Sequence, residues 1–81
     1  MKTNYEKEIY DIISKTFDIP LDDIKPESGP GAISLWDSLG QLSLVSALEE
    51  HFSIVFEFEE LFQIVSVQTA VDIIKSKLNV D

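Results

Sequence analysis

The chain has 81 residues, and its 15 acidic residues against six lysines and no arginine give a formal net charge of -9. This length allows one small domain over residues 1–81 and leaves little room for an enclosed active site. So acidic a chain is unsuited to binding a nucleic-acid backbone, and the absence of cysteine excludes disulfides and thiolate metal sites.

The acidic residues are unevenly distributed. Between Lys25 and Lys75 there is no lysine or arginine, and all the charged side chains there other than His51 are acidic. They are Glu27, Asp37, Glu49, Glu50, Glu57, Glu59, Glu60 and Asp72. Such a surface either aids solubility or docks against basic partners, and composition leaves both open. Apolar runs are short and the N-terminal stretch mixes charges, so we expect no signal peptide, no membrane span and a cytoplasmic location.

The first helix is predicted over residues 3–17, where apolar side chains recur at the spacing of one helix face. These side chains are Tyr5, Ile9, Ile12, Ile13 and Phe17. The prolines and glycines that crowd the next stretch predict a long ordered loop over residues 18–36. A loop this long in so small a domain usually has a function.

The second helix is predicted to begin after Asp37 and to have a core face and a solvent face. Its core arc is predicted to contain Leu42, Val45, Leu48 and Phe52, with Leu44 at its edge. The opposite stripe contains Ser43, Ser46, Glu50 and Ser53, with Leu39 exposed among them.

The stretch "SIVFEFEELFQI" alternates like a strand, but no second strand is available to pair with it, so we predict a turn and a short helix over about residues 57–63. Ser66 then resembles the N-cap of a last helix, whose apolar face is Val67, Ala70, Val71, Ile74 and Leu78. Lys75 and Lys77 lie near the negative end of that helix. The predicted fold is all-α, a small antiparallel four-helix bundle with a long first loop and a short third helix.

The sequence contains few residues arranged for catalysis or metal binding. Ser38 and His51 lie on the same predicted helix, about 20 Å apart, which excludes a nucleophile–base pair within one chain. His51 is predicted to be a solvated or partly packed helix residue. The acids of "DIPLDDIKPES" lack the spacing of a calcium loop, and "SGPGAIS" lacks the Lys-Ser/Thr of a phosphate-binding loop. We therefore expect neither an enzyme nor a metal site.

The start of the second helix, within "LWDSLGQL", allows two interpretations. In one, Asp37 is an N-cap and Ser38 and Gln41 help to satisfy the first-turn backbone groups, with no further function. In the other, Ser38 carries a group through its hydroxyl, and a phosphodiester there would be favoured by the free N–H groups and the helix dipole.

The combination of "DSL" opening a helix, "SALEEHF" and "EFEELFQIVSVQTAVDII" resembles the acyl carrier protein family over nearly the whole chain. The resemblance implies a four-helix bundle in which a separate transferase, using coenzyme A, esterifies Ser38 with 4'-phosphopantetheine. The thiol of that group holds acyl chains as thioesters for partner enzymes. Asp37 matches the acid beside the serine that assists the metal-dependent transferase step.

The resemblance also assigns partner and cargo positions. Leu39, Glu49 and Glu50 match positions that meet basic partner surfaces. Four residues match the lining of a space between the second and third helices where acyl chains shelter, although core packing is expected to be most of their role. These four are Leu48, Phe56, Leu61 and Ile64.

Several positions depart from fatty-acid-synthesis carriers, which usually have acids where Gly40 and Ser43 stand. Trp36 replaces a small residue, and Ser46 a larger apolar one. We therefore expect Trp36 and Gly40 to influence partner recognition. Phe56, Phe58 and Phe62 are expected to narrow any acyl pocket.

"WDSLG" is closer to stand-alone carriers of specialised pathways. The expected function is a monomeric acyl carrier of a specialised lipid, polyketide or related pathway. Its expected partners are a phosphopantetheinyl transferase and acyl-loading and acyl-processing enzymes with basic docking surfaces. Two alternatives remain: an aminoacyl carrier of the D-alanyl or peptidyl type, or an unmodified acidic adaptor in which Ser38 only caps a helix.

Overall fold

The structure is a computed structural model that describes residues 5–78. Over that range it contains four α-helices: α1 Tyr5–Phe17, α2 Ser38–Phe52, α3 Phe58–Leu61 and α4 Val67–Lys77. A single 3-10 turn, Leu21–Asp23, interrupts the long loop between α1 and α2. This confirms the all-helical fold with a long first loop and a short third helix. Residues 3 and 4, predicted to open the first helix, lie outside the described residues.

The ends of the helices follow from local chemistry. Asp18 directly after α1 and Ser53 directly after α2 have φ values of 55° and 56°, a left-handed conformation that stops a helix. At the start of α4, the Ser66 hydroxyl accepts a hydrogen bond from the Thr69 N–H at 3.2 Å. The Thr69 hydroxyl in turn accepts from the Ser66 N–H at 3.0 Å, so the predicted N-cap is confirmed as part of a reciprocal capping pair.

The core is formed by α1, α2, α4 and apolar residues of the loops. Its buried members are Ile9, Ile13, Phe17, Ile24, Ile33, Trp36, Leu44, Val45, Leu48, Phe56, Ile64, Val67, Ala70, Val71 and Ile74. The predicted inner face of α2 needs one correction, because Leu44 is fully buried whereas Leu42 is 58% exposed. Leu42 is about 120° around the helix from Leu48, too far to reach a core centred on Leu48.

The long first loop is fixed to the start of α4 by backbone hydrogen bonds. The Val67 N–H donates to the Ser28 carbonyl at 2.8 Å, and the Gln68 N–H donates to the Pro26 carbonyl at 2.9 Å. Gly29 allows this close approach, since a Cβ there would lie 2.4 Å from the Val65 carbonyl oxygen. The loop is therefore ordered, as predicted, and its last residues lead directly into α2.

α3 differs from the other helices because it is a single turn of four residues, none of them buried. Its first turn is closed at Glu57: the Glu60 N–H donates to the Glu57 carbonyl at 3.0 Å, and the Glu60 carboxylate accepts from the Glu57 N–H at 2.6 Å. Lys77 at the end of α4 also contacts the Glu60 carboxylate at 2.7 Å. Among the helices described here, none combines the length and the apolar character that crossing a lipid bilayer requires.

Candidate functional site

The first turn of α2 is capped as predicted. Asp37 has extended backbone geometry, and its Oδ1 accepts a hydrogen bond from the Gly40 N–H at 2.9 Å. Ser38 follows as the first helical residue and is exposed. Its hydroxyl forms no hydrogen bond to any of residues 5–78. The cap therefore belongs to Asp37 alone, and the Ser38 hydroxyl is available for chemistry.

The surroundings of Ser38 suit a phosphodiester. The first amide groups of a helix have no carbonyl partner within the helix, and the helix dipole places partial positive charge at this end. An anionic phosphate bonded to the Ser38 oxygen would lie at that end of α2. Since the side chain is exposed, a group attached to it displaces no core residue. The residues present thus fit a prosthetic group held through a serine phosphodiester.

Gly40 is required by the packing of the preceding loop. A Cβ at this position would lie 2.0 Å from the Leu35 carbonyl oxygen and 2.9 Å from Cε1 of Phe17. A side chain cannot be added without moving the loop that leads to Ser38. The acid that fatty-acid carriers have at this position is therefore sterically excluded here.

Trp36 is not part of the exposed surface, and its predicted direct role in partner recognition is corrected accordingly. The side chain is 1% exposed and stacks on Phe17, with ring centroids 5.3 Å apart. Its indole Nε1 donates a hydrogen bond to Oε1 of Gln41 at 2.6 Å. Trp36 thus shapes the backbone two residues before Ser38 from inside the core.

Gln41 has a different role from the one predicted. Its amide does not help to cap the first turn of α2. Besides accepting from Trp36, it donates through Nε2 to the carbonyl oxygens of Leu61 at 2.9 Å and Ile64 at 3.2 Å. These partners are 20 and 23 residues away in sequence. The sequence did carry a signal, since Gln41 is a polar residue on the apolar side of α2, close in angle to Leu44 and Leu48.

The predicted partner-binding residues fall into two groups. Leu39 is 75% exposed and Glu50 is exposed, as the interpretation requires. Glu49 is half-buried, and its carboxylate accepts a hydrogen bond from the Phe56 N–H at 2.9 Å. Glu49 therefore fixes the connection between α2 and α3.

The four predicted acyl-pocket residues are brought together in the core. Leu48, Phe56 and Ile64 are buried, and Leu61 packs against the same cluster while half-exposed. Phe58 and Phe62, expected to narrow this space, are 73% and 69% exposed and contact each other edge to face. That part of the prediction is wrong, because both rings point away from the core.

Other titratable groups lie away from Ser38. His51 is exposed, as expected for a solvated helix residue, and its Nε2 lies 2.8 Å from the Glu8 carboxylate of α1. An open depression of about 360 Å³ is lined by Glu6, Lys7, Tyr10 and Leu21, and burial, with the nearby charge of Glu6, raises the pKa of Tyr10. Across residues 5–78 no three His, Asp or Glu side chains are grouped to hold a metal ion.

Comparisons with known proteins show the family of this chain. A family model described as "Phosphopantetheine attachment site" matches residues 7–74. The chain belongs to this family of carrier proteins. The carrier also resembles the solution NMR structure of holo acyl carrier protein from Geobacter metallireducens, with 28% sequence identity and a TM-score of 0.82 over 91% of this chain and 85% of that one.

The predicted relationship to acyl carrier proteins is therefore confirmed, and so is the four-helix fold. The carrier is a non-catalytic protein whose prosthetic group is phosphopantetheine. Carriers of this kind work with a phosphopantetheinyl transferase and with acyl-processing enzymes.

Proposed function

We propose that Ser38 is the attachment residue for 4'-phosphopantetheine and that the chain presents acyl intermediates to partner enzymes from this point. The supporting observation is the exposed Ser38 hydroxyl, which has no hydrogen-bond partner in the described structure and lies at the dipole-favoured end of α2. When bound, the group supplies a terminal thiol on which acyl chains are held as thioesters.

The residues around Ser38 have separate tasks in this function. Asp37 fixes the start of the helix through the Gly40 N–H and places negative charge beside the serine for the metal-assisted transferase step. Trp36 and Gly40 hold the preceding loop close to α2. The serine is thus presented on a rigid helix end, which suits recognition by several enzymes in turn.

The pathway we propose is a specialised one, in lipid, polyketide or related synthesis. This rests on the surface near Ser38, where Gly40 excludes one of the usual acids and Ser43 replaces another. Apolar side chains are exposed instead: Leu35 at 55%, Leu39 at 75% and Leu42 at 58%. Partners with an apolar contact surface flanked by basic residues would match this combination.

The test of attachment is a loading reaction. The protein is incubated with coenzyme A and a broad-specificity phosphopantetheinyl transferase, and its intact mass is measured. We expect a gain of one phosphopantetheine in the wild type, none in Ser38→Ala and the full gain in Ser43→Ala, whose serine is also exposed on α2. Loading of Ser38→Ala, or no gain in the wild type, would contradict the proposal and favour the adaptor interpretation.

Charge steering by α2 is tested with Glu50, since Glu49 is engaged by Phe56. Glu50→Lys should slow the transferase reaction more at low salt than at high salt, because counterions screen steering between exposed charges. Asp72→Lys makes the same charge change on α4 and serves as the control. Equal rates for Glu50→Lys and Asp72→Lys at low salt would remove Glu50 from the docking surface.

A further inference from the structure

The contact between α2 and the end of α3 depends on one glutamine side chain. Gln41 binds three groups: the indole N–H of Trp36 and the carbonyl oxygens of Leu61 and Ile64. Leu61 is the last residue of α3, and Ile64 lies in the turn that leads to α4. Gln41 thus ties the first turn of α2 to the chain segment where α3 ends.

This tie lies beside the proposed attachment residue. Gln41 follows Ser38 by three positions, which on an α-helix is a displacement of about 4.5 Å along the axis and about 60° around it. An acyl chain leading from Ser38 toward Leu48, Phe56 and Ile64 has to pass between α2 and α3. The hydrogen bonds of Gln41 cross that opening at its end nearest Ser38.

Resting on the proposed attachment at Ser38, we propose that Gln41 is a positioning residue that keeps the space between α2 and α3 closed, so that the cargo remains outside the helical bundle. Opening the space would strip the Leu61 and Ile64 carbonyls and the Trp36 indole of their partners in a half-buried region, which is unfavourable.

The closed space points to a class of cargo. A long alkyl chain held outside the bundle would remain in water between enzyme encounters, which is unfavourable in proportion to its apolar surface. A short or polar acyl group carries no such penalty. The carrier is therefore suited to short or polar acyl groups.

The test compares two cargos on the same protein. The transferase loads the wild type, Gln41→Ala and a control, Gln68→Ala, with octanoyl- or acetyl-phosphopantetheine from the corresponding coenzyme A thioester. Gln68 is a suitable control because its amide binds only Asp72 on the exposed face of α4. Backbone amide chemical shifts are measured for each protein with each cargo. The difference between the octanoyl-loaded and the acetyl-loaded form of the same protein gives the effect of the alkyl tail.

In the wild type and Gln68→Ala we expect no tail-dependent shift at Leu48, Phe56 or Ile64. In Gln41→Ala we expect clear shifts at these core residues. Tail-dependent core shifts in the wild type, or none in Gln41→Ala, would overturn the proposal. Changes in the fold that the substitution itself causes are present with both cargos and cancel in the difference.

A second variant keeps the test valid if Gln41→Ala does not fold. Gln41→Glu preserves the shape and the acceptor for Trp36, but an ionised carboxylate facing two carbonyl oxygens cannot donate. At neutral pH it should admit the octanoyl tail as Gln41→Ala does. The absence of tail-dependent shifts at Leu48, Phe56 and Ile64 in Gln41→Glu would likewise overturn the proposal.

Failure to load at Ser38 would contradict the proposed function. The hydrogen bonds of Gln41 to Leu61 and Ile64 can still be tested in the unmodified protein. There, Gln41→Ala should speed amide hydrogen exchange at Phe62 and Gln63, whose N–H groups bond to Glu59 and Glu60, by about fivefold. Unchanged exchange at both residues would overturn the tie independently of any prosthetic group.

Discussion

The two sides of α2 are held in place by different forces. Toward α1 and α4 the contact is largely apolar: these helices and α2 together contribute Ile9, Ile13, Phe17, Leu44, Val45, Leu48, Val67, Ala70, Val71 and Ile74 to the core. On the other side, α3 has no buried residue, and only its half-exposed Leu61 packs against the core. Polar contacts hold it as well: the hydrogen bond from Gln41 of α2 to Leu61 and the ion pair between Lys77 of α4 and Glu60. The position of α3 is therefore set by a few replaceable groups.

This difference separates stability from recognition. Burial of apolar surface by α1, α2 and α4 fixes the platform from which Ser38 projects. Phe58 at the start of α3 and Phe62 directly after it place two aromatic rings on the surface without removing apolar area from the core. Substitutions on the two sides should consequently differ strongly in their effect on unfolding.

The largest effect is expected from the apolar side. Leu44→Ala removes a fully buried side chain and should lower the free energy of unfolding by about 2–5 kcal/mol. Phe62→Ala removes a larger side chain that is 69% exposed and should change it by less than about 1 kcal/mol. Urea unfolding followed by the fluorescence of the single, buried Trp36 measures both. Similar losses in the two variants would remove the distinction between the sides.

An intermediate effect is expected where the first loop meets α2. Gly40→Asp adds a good N-terminal helix residue, yet its Cβ would meet the Leu35 carbonyl oxygen at 2.0 Å. Because that neighbour is backbone, we expect a net loss of about 1–3 kcal/mol in unfolding free energy and a shift in Trp36 emission. A stabilised Gly40→Asp protein would show that the close approach is not a constraint.

The smallest effect is expected from the ion pair that fixes α3. The Lys77 ammonium and the Glu57 N–H hydrogen-bond to Glu60 and lower the pKa of its carboxyl below 4.5. The folded-state pKa is thus below the unfolded one, so the pair stabilises the fold above pH 4.5 and loses this contribution as pH falls through the folded-state value.

Lys77→Met keeps an unbranched stem and removes the charge, which contacts Glu60 at 2.7 Å and also lies 5.5 Å from the centroid of the Phe56 ring. Its urea midpoint should lie slightly below that of the wild type at neutral pH, and the gap should narrow as pH falls below 4.5, because only the contact with Glu60 depends on pH in this range. A gap independent of pH would mean that Lys77 acts through its contact with Phe56 alone.

Local patterns in the sequence were sufficient to predict the helices and two of their N-caps. The Ser66 cap, the Asp37 cap and the apolar face of α4 follow from residues within one or two turns of each other. The family resemblance proposes Ser38 as the attachment residue for the same reason, since its motif is contiguous. The inner face of α2 was predicted less accurately. Leu42 and Leu44 are both leucines that differ in their angle around the helix axis, and the position of the neighbouring helices decides which of them is buried.

The remaining site features depend on contacts between distant segments. Trp36 is buried because it stacks on Phe17 from the other end of the loop. The bonds from Gln41 to Leu61 and Ile64 join segments that no spacing rule relates, and the Glu49 bond to Phe56 crosses the connection between two helices. The polar Gln41 on the apolar side of α2 indicates that its side chain has a partner, but periodicity in a single sequence does not say which residues are the partners.

The most direct test of the central claim is to locate the modification within the loaded protein. Since no lysine or arginine lies between Lys25 and Lys75, a protease that cleaves after glutamate is needed, and cleavage after Glu27 and Glu49 releases residues 28–49. That fragment contains Ser28, Ser34, Ser38, Ser43 and Ser46. We predict that fragment-ion masses place one phosphopantetheine on Ser38 alone. Phosphopantetheine on any other serine, or an unmodified fragment from protein that has gained the mass, would contradict the account.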